Sequence, residues 1–406
     1  MKLSKPHYAW VICGCCTLMM VCNSGFIVSA FPVFTPYIVE LNGFTNVQVS
    51  LLTTLRNLSG VLAKLMVAAF YAKLDLRRGI TLAGLMTAGG FLLYALGSGT
   101  PLLYYTAAVL TGFGNGLGAM IPASILIKAW FRSRQTLALS ICASGTAIAS
   151  LFCPTLVTWS IEAWGLSASF GAVAAIIAVS IILVYLLVRS RPDELGLEVY
   201  DTGETSSRKA PVHGIRPTPF FTGLMLLACF LVGGMTLAFP SYNTLYYREV
   251  GFSGSQIAMV LTFGGVTLLL GKWIYGFLND LLGSYRCNGL FVCAIILGAV
   301  LSCMLSHDRL AVLLLANALL TIGYALATVG ISVWAANLSD DASYVKTLRN
   351  YQLSYTLGGL AFSSLPGILA DLTGSYYPTR LICVAMGTVI LLSIQSTYRS
   401  VGLHRR

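Results

Sequence analysis

The sequence predicts an all-α membrane protein with twelve transmembrane helices in two pseudo-symmetric bundles of six. Two observations lead to this prediction. The chain of 406 residues is 57% hydrophobic and 10% charged and has a mean hydropathy of +0.80, whereas a soluble domain carries about 25% charged residues. The second half of the chain also repeats the first. So much apolar surface requires lipid as the solvent.

The internal repeat has a constant offset of 208 residues. Ala30-Phe31-Pro32 recurs as Ala238-Phe239-Pro240, and Lys64 recurs as Lys272. The stretch from Ala30 to Arg78 shares eleven identities with its copy over 49 ungapped positions. The chain is therefore a duplicated unit with one matched lysine in an apolar segment of each copy. Many secondary transporters are built from such repeats.

Twelve segments approach or exceed the length of about 20 apolar residues that a membrane span needs. The predicted spans of the first half are 10–37, 47–71, 79–96, 102–127, 137–161 and 168–188. Those of the second half are 220–246, 256–278, 289–305, 310–338, 351–370 and 378–398. The only long polar segment lies between them. We predict an N-terminal half at 1–188, a cytoplasmic linker at 189–218 and a C-terminal half at 219–406.

The distribution of Lys and Arg predicts the orientation in the membrane. Nineteen of these residues fall on one side, and three, Arg248, Arg309 and Arg380, fall on the other. Since cytoplasmic loops carry the excess of positive charge, we expect both termini and the linker in the cytoplasm and a multi-pass protein of a bacterial-type plasma membrane. The net charge of +11 is then a topology signal and not a nucleic-acid-binding patch.

Several other functional classes are excluded. A membrane enzyme needs clustered His, Asp or Glu near the interface, and an ATP-driven protein needs a G-x-x-x-x-G-K-[ST] motif; the sequence shows neither. A non-transporting sensor needs a soluble signalling domain, for which 189–218 is too short. We expect no catalytic residue, no metal site and no cofactor. The expected partners are the lipid bilayer and a small substrate, no nucleic acid is expected, and the chain is expected to be a monomer.

Three cations lie within predicted spans. Lys64 lies nine residues before Lys73 and Lys272 eight before Asp280, so both fall about 12–13 Å from the cytoplasmic ends of their helices. Arg56 lies near mid-depth. Each such cation costs about 2.5–3.5 kcal/mol, and no Asp or Glu is expected at this depth. A mobile anion is therefore the natural counter-charge, and lysine suits a carboxylate. Alternatively, Lys64 reaches the headgroups and Lys272 bonds a backbone carbonyl.

Four segments carry a family resemblance. They are AWFRSRQTLALSICASGTAIAS (129–150), RPDELGLEVYDTG (191–203), GKWIYGFLNDLLGSYR (271–286) and PGILADLTGSY (366–376). The chain resembles the major facilitator superfamily over its whole length, and within it the branch of oxalate–formate antiporters and monocarboxylate transporters. The resemblance implies the major facilitator fold and transport without ATP.

The resemblance also implies roles for individual residues. The loop after the second span would contribute Asp75, Arg77 and Arg78 to conformational gating, and its counterpart would contribute Asp280, Gly283 and Arg286, with Asp280 and Arg286 holding the outward-open state. Spans one, four, seven, ten and eleven line the cavity in the family. They carry these polar residues: Asn23, Asn115, Tyr242, Asn317, Tyr324 and Tyr351. Each of these side chains alone is more readily a contact between helices than a ligand contact, but some of them together are expected to line the site.

Two departures from the branch concern the substrate. The oxalate-type proteins place a second cation in span eleven, and 351–371 contains none. Animal monocarboxylate carriers place an acid one turn before the span-eight cation, where this chain has Leu268. Lys64 could replace the missing cation. Two pairs of glycines in span four, Gly112 with Gly116 and Gly114 with Gly118, predict close helix packing or, alternatively, a sliding contact.

The sequence thus predicts a secondary transporter of small organic anions, monocarboxylates or short dicarboxylates. The expected substrate-binding residues are Lys272, Lys64, Arg56, Asn23, Asn115, Tyr242 and Tyr351. The four histidines lie at chain ends or in loops, so no dedicated proton carrier is visible and exchange of anions is favoured. The alternatives are proton-coupled symport of monocarboxylates, and efflux of drug-like or other small solutes, for which buried acids would be expected.

Overall fold

The computed structural model describes residues 7–97, 99–201, 217–306 and 309–403. Within these ranges, twelve helices are long and apolar enough to cross a membrane. The predicted number of spans and the all-helical class are confirmed. The helix ends differ from the predicted ones by a few residues.

The first half contributes six spans. They are α1 (Tyr8–Met20, Val21–Ala30 and Phe31–Asn42), α2 (Asn46–Lys73), α3 (Leu76–Leu96), α4 (Pro101–Gly118 and Met120–Trp130), α5 (Gln135–Trp164) and α6 (Leu166–Leu187).

The second half also contributes six. They are α7 (Pro219–Gly233, Gly234–Ala238, Phe239–Tyr242 and Asn243–Glu249), α8 (Gly254–Leu282), α9 (Ser284–Cys303), α10 (Leu310–Gly323, Leu326–Gly330 and Ile331–Asn337), α11 (Tyr344–Ala361 and Leu365–Thr373) and α12 (Tyr377–Ser400).

The chain divides into two compact units, Met1–Ser207 and Arg208–Arg406. Residues 202–216 of the predicted linker lie outside the described residues, so the limits of the halves and linker stay predictions. The first part of the linker folds against the first unit. Tyr200 donates its N–H to the Trp130 carbonyl at 3.0 Å and accepts from the Arg132 N–H at 2.9 Å, and Trp130 Nε1 donates to the Arg189 carbonyl at 3.0 Å.

The repeated proline explains a matched irregularity in α1 and α7. Proline has no N–H, and its ring clashes with the carbonyl four residues earlier. Pro32 lies two residues after the end of a π-helix at Val21–Ala30, and Pro240 lies two residues after the end of one at Gly234–Ala238. In a π-helix each carbonyl bonds the N–H five residues later. The Ile27 carbonyl would therefore need the N–H that Pro32 lacks, and the Met235 carbonyl the N–H that Pro240 lacks.

A third proline interrupts α4. Pro122 cannot bond the carbonyl of Gly118, and the helix breaks between its two segments at Ala119, which has φ −99° and ψ −124°. Two side chains from other helices meet the carbonyls at this break. Asn23 Nδ2 of α1 donates to the Gly118 carbonyl at 2.9 Å, and the Tyr71 hydroxyl of α2 donates to the Leu117 carbonyl at 2.9 Å.

The glycines of α4 lie where neighbouring helices approach closely. A Cβ atom on Gly112 would lie 2.3 Å from the Arg56 carbonyl oxygen of α2, and one on Gly114 would lie 2.9 Å from the Ala83 carbonyl oxygen of α3. A Cβ atom cannot be accommodated so close to a carbonyl oxygen. The predicted close packing of these glycines is therefore present between α4 and both neighbours.

Candidate functional site: the cations within the helices

The two lysines owe their matched positions to matched helix starts. Thr45 caps α2 and pairs with Gln48 in a capping box, and Ser253 caps α8 and pairs with Gln256 in the same way. Such reciprocal bonds satisfy backbone N–H groups in the first turn and define where the helix begins. Both helices then run without a break past the lysine. Each ammonium group is therefore carried at the same depth along its helix.

Lys272 is buried in the second unit, with 2% of its surface exposed. The helix that carries it packs tightly on α10. A Cβ on Gly271 would lie 2.8 Å from Ile322 Cα, and the hydroxyls of Thr267 and Thr321 lie 2.6 Å apart. Backbone contact of this kind leaves little freedom for α8 to shift. The lysine next to Gly271 is consequently held at a defined place.

Lys64 is half-buried in the first unit. It lies beside the face of α2 that contacts α4, where Gly60, four residues earlier, and Ala63 pack against Gly116. Thr53 and Asn57 lie on the same face as Lys64, because residues 53, 57 and 64 are four and seven apart. The ammonium group of α2 therefore belongs to a polar helix face, whereas that of α8 is enclosed.

Arg56 is committed to contacts within the first unit. Its Nη1 donates to the Ile27 carbonyl at 3.1 Å, and its guanidinium carbon lies 4.7 Å from the centroid of the Phe31 ring. The Ile27 carbonyl is the one that Pro32 leaves without an N–H donor. Arg56 thus stabilises the π-helical segment of α1, and it retains partial exposure.

Asn23 and Asn115 belong to one hydrogen-bond network that joins α1, α3 and α4. Asn23 is fully buried, and besides its bond to Gly118 its Oδ1 accepts from Thr87 Oγ1 at 3.0 Å. Asn115 Nδ2 donates to the Asn23 carbonyl at 2.7 Å. These bonds hold three helices together at the break in α4. They therefore favour the interpretation of both amides as contacts between helices over that of contacts with a substrate.

The two tyrosines expected at the site lie apart in the second unit's helices. Tyr351 is buried near the start of α11. Tyr242 is half-buried and its hydroxyl donates to the Ser363 carbonyl at 3.0 Å. Ser363 lies at the interruption of α11, so Tyr242 joins the irregular parts of α7 and α11. Contact of either tyrosine with a substrate stays a prediction.

The residues expected to gate the first unit bond the end of α6. Ser190 Oγ donates to Asp75 Oδ1 at 2.6 Å. Arg77 Nε donates to the Tyr185 carbonyl at 2.7 Å, and its guanidinium carbon lies 4.1 Å from the Tyr185 ring centroid. Arg78 is exposed. The loop between α2 and α3 is thereby tied to α6 within the same unit.

In the second unit, the turn between α8 and α9 consists of Gly283 alone. Its φ of 81° and ψ of 157° form a conformation that is essentially restricted to glycine. Asp280 is half-buried at the end of α8, and Arg286 is exposed at the start of α9. A gating role for Asp280, Gly283 and Arg286 stays a prediction.

Arg380, expected on the outer side at the start of the span 378–398, is buried. Arg380 lies in the first turn of α12 with 3% of its surface exposed. Its Nη2 donates to Asn243 Oδ1 at 2.8 Å, and its guanidinium carbon lies 4.5 Å from the Tyr246 ring centroid. The last segment of α7 covers this arginine. In the sequence, the polar and aromatic residues from Asn243 to Tyr247 at the end of a span could have indicated a partner for a buried cation.

Comparisons with known proteins agree with this architecture. The family model of the Major Facilitator Superfamily matches residues 15–250. Monocarboxylate transporter 13 of Bos taurus is 24% identical over 343 residues, covering 80% of this chain and 75% of that protein. Monocarboxylate transporter 12 of Homo sapiens is 26% identical over 340 residues, covering 75% of this chain and 64% of that protein.

The same fold occurs among solved structures. The crystal structure of the major facilitator transporter FucP in the outward conformation superposes with a TM-score of 0.74 at 18% sequence identity, covering 97% of this chain and 99% of that one. These relatives and structural neighbours are transporters and not enzymes. Together with the twelve spans and the matched halves, they establish that this chain is a multi-pass membrane transporter that belongs to the major facilitator superfamily.

Proposed function

We propose that this chain is a secondary active carrier of small organic anions, monocarboxylates or short dicarboxylates, that works by alternating access of its two halves. The observation that supports the proposal most directly is the buried position of Lys272 in α8, at the repeat position of Lys64 in α2. The central parts of both helices, 50–71 and 257–278, contain no Asp or Glu. The names of the monocarboxylate transporters among its relatives support the same substrate class.

The physical argument concerns the cost of a cation at this depth. An ammonium group within the hydrocarbon layer costs about 2.5–3.5 kcal/mol on insertion scales, and a carboxylate that approaches it regains part of this cost through a charge-assisted hydrogen bond. Lys272 and Lys64 are the residues we assign to the substrate carboxylate. Arg56, Asn23 and Asn115 support the helices around them, and Tyr242 and Tyr351 are secondary candidates.

The coupling follows from the same charge. A carrier without its anion would have to change conformation with a positive group exposed to the membrane field, which is unfavourable, whereas a loaded carrier is closer to neutral. Exchange of one anion for another is therefore the proposed mode. We further propose a monomer in a bacterial-type plasma membrane with both termini in the cytoplasm.

The proposal is tested by counterflow in liposomes. Purified protein is reconstituted into vesicles preloaded with an unlabelled carboxylate, and uptake of labelled formate, lactate, pyruvate, oxalate and malonate is measured with and without a pH gradient. We expect uptake of at least one of these anions that depends on internal anion and not on the pH gradient. Accumulation driven by the gradient without internal anion would replace exchange by proton symport.

Lys272→Gln is the decisive variant. Loss of a charge-assisted bond of about 2 kcal/mol predicts that counterflow falls by about thirtyfold or more. Lys346→Gln, which changes an exposed lysine in the first turn of α11, is the matched control and should transport normally. Normal uptake by Lys272→Gln would remove this residue from the site and overturn the assignment.

A further inference from the structure

Helix α2 has three distinct faces. One contacts α4, where the Arg56 carbonyl, Ser59 and Gly60 lie against Gly112 and Gly116. A second is aliphatic and exposed: the side chains of Leu58, Leu62, Leu65 and Met66 are between 45% and 58% exposed. The third is polar and consists of Thr53, Asn57 and Lys64. The aliphatic face suits lipid, so the polar face requires a different explanation.

The polar and aliphatic faces are well separated around the helix. At 100° per residue, Thr53, Asn57 and Lys64 fall within about 40° of one another, and the aliphatic face is centred about 140° away. Asn57 is exposed, Thr53 and Lys64 are half-buried. The lysine is therefore not an isolated polar residue on a lipid-facing surface but the inner end of a continuous polar face.

Asn57 is the exposed residue of this face. Among the described residues, no hydrogen bond to its amide is present. An amide placed in hydrocarbon without a hydrogen bond is strongly unfavourable. Its neighbour Arg56, one residue earlier, is turned toward α1 and bonds Ile27. Of these two adjacent polar residues, Asn57 is the one directed away from the other helices of its unit.

We propose that Asn57 is a specificity-determining residue that binds a hydroxyl or carbonyl group of the transported anion while Lys64 binds its carboxylate. This inference rests on the proposed function and deepens it, because it assigns to one residue the discrimination between anions with and without a second, neutral oxygen group. An amide offers both a donor and an acceptor, so it pairs with a neutral oxygen group more suitably than with a second carboxylate alone.

The spacing on the helix fits a small substrate. Asn57 and Lys64 are seven residues, about 10.5 Å, apart along the axis. Side chains in a helix lean toward its N-terminus, and Asn57 lies on the N-terminal side of Lys64. Both side chains lean the same way, but the lysine is much the longer of the two, so its ammonium group approaches the amide and the gap is shorter than the axial spacing. The positive charge at one end and the neutral amide at the other define the orientation of the bound anion.

The first experiment compares two substrates that differ only in one hydroxyl group. Uptake of butyrate and of 3-hydroxybutyrate by the reconstituted protein is measured for the native chain and for Asn57→Ala. We expect the ratio of kcat/KM for 3-hydroxybutyrate over butyrate to fall at least about fivefold, since one hydrogen bond to the hydroxyl is lost. Leu58→Ala, on the aliphatic face next to Asn57, is the matched control and should leave this ratio unchanged.

An unchanged ratio in Asn57→Ala would overturn the inference. If Lys272→Gln still abolishes counterflow in that case, the proposed function stands and only the role of Asn57 fails. If the native chain takes up neither butyrate nor 3-hydroxybutyrate, nor any anion of the counterflow panel, the proposed function fails as well. The two failures are thereby distinguishable.

A second experiment tests the exposure of this face independently of transport rates. Asn57→Cys and Leu58→Cys are treated with a membrane-impermeant thiol reagent, with the native chain as background for its own cysteines. We expect Asn57→Cys to be modified, 3-hydroxybutyrate to slow its modification, and Leu58→Cys to remain at background. An unreactive Asn57→Cys, indicating lipid or protein over the amide, would overturn the proposal.

Discussion

The helices α2 and α8 are two copies of one ancestral helix, and they differ in what surrounds their shared lysine. In α8, Lys272 is enclosed, and the positions that match Thr53 and Asn57 are Leu261 and Gly265. In α2, Lys64 is half-buried and shares its face with two polar residues. Both copies have the lysine, whereas only α2 has polar residues on the same helix face.

The contact with the neighbouring helix differs as well. The residue before each lysine is Ala63 in α2 and Gly271 in α8. Ala63 packs against Gly116 of α4, while Gly271 lies directly against the backbone of Ile322 in α10. Both helices approach their neighbours closely, but the residue before Lys272 meets backbone atoms, whereas the residue before Lys64 meets a glycine through its methyl group. One position in a repeat can therefore keep its charged residue while the packing around that residue changes.

The largest expected effect comes from removing the closer of these contacts. Gly271→Ala would place a Cβ 2.8 Å from Ile322 Cα and 2.9 Å from its carbonyl oxygen, so α8 and α10 must separate. We expect a loss of about 3 kcal/mol of stability and reduced uptake, measured by thermal unfolding in detergent and by counterflow. The reciprocal Ala63→Gly should cost only about 1 kcal/mol. Equal effects of the two changes would contradict the difference between the contacts.

Replacing the two lysines should have different effects on the stability of the protein. A cation within the hydrocarbon layer costs about 2.5–3.5 kcal/mol on insertion scales, so Lys272→Met should raise the unfolding temperature by an amount that corresponds to about 2 kcal/mol while abolishing uptake. Lys64→Met should change the unfolding temperature little, because Lys64 is half-buried. The measurement is thermal unfolding of both variants without substrate. A destabilised Lys272→Met would show that the protein, and not the substrate, compensates this charge.

The smallest predicted effect concerns the prolines shared by the two halves. Arg56→Leu should destabilise the protein by about 1 kcal/mol because the Ile27 carbonyl loses its donor. In a Pro32→Ala background, the new N–H can bond that carbonyl, so the cost should largely vanish, and the double-mutant cycle should show coupling of similar size. Pro240→Ala is the matched control from the other half, and its effect should add to that of Arg56→Leu. Additivity with Pro32→Ala would refute the carbonyl argument.

Much of the fold could be predicted because its determinants are local. Twelve apolar segments, two capping boxes and a constant offset are visible in the sequence alone, and they place both lysines correctly on α2 and α8. The irregular segments of α1 and α7 were not predicted, although Pro32 and Pro240 were recognised as repeated. The rule that a proline leaves an earlier carbonyl without a donor would have indicated them.

The partners of individual polar residues could not be predicted. The bonds of Arg56 to Ile27 and of Asn23 to Gly118 depend on which carbonyl of another helix lies nearby, and that depends on helix packing. The burial of Arg380 could not be predicted for the same reason, because it results from Asn243 and Tyr246, which lie more than a hundred residues earlier. Hydropathy describes a residue's own segment, whereas these contacts are set by distant ones.

The proline at the same place in both copies also orders events in the history of the molecule. An irregularity present in both halves is most simply older than the duplication that produced them, so the unpaired carbonyl it created was inherited twice. Arg56 supplies a donor in one copy. Its counterpart is Gly264, beside which Asn317 donates to the Val260 carbonyl at 3.0 Å. The inherited defect thus met a cation in one half and a glycine in the other, so the same missing backbone hydrogen left the two copies open to different later substitutions.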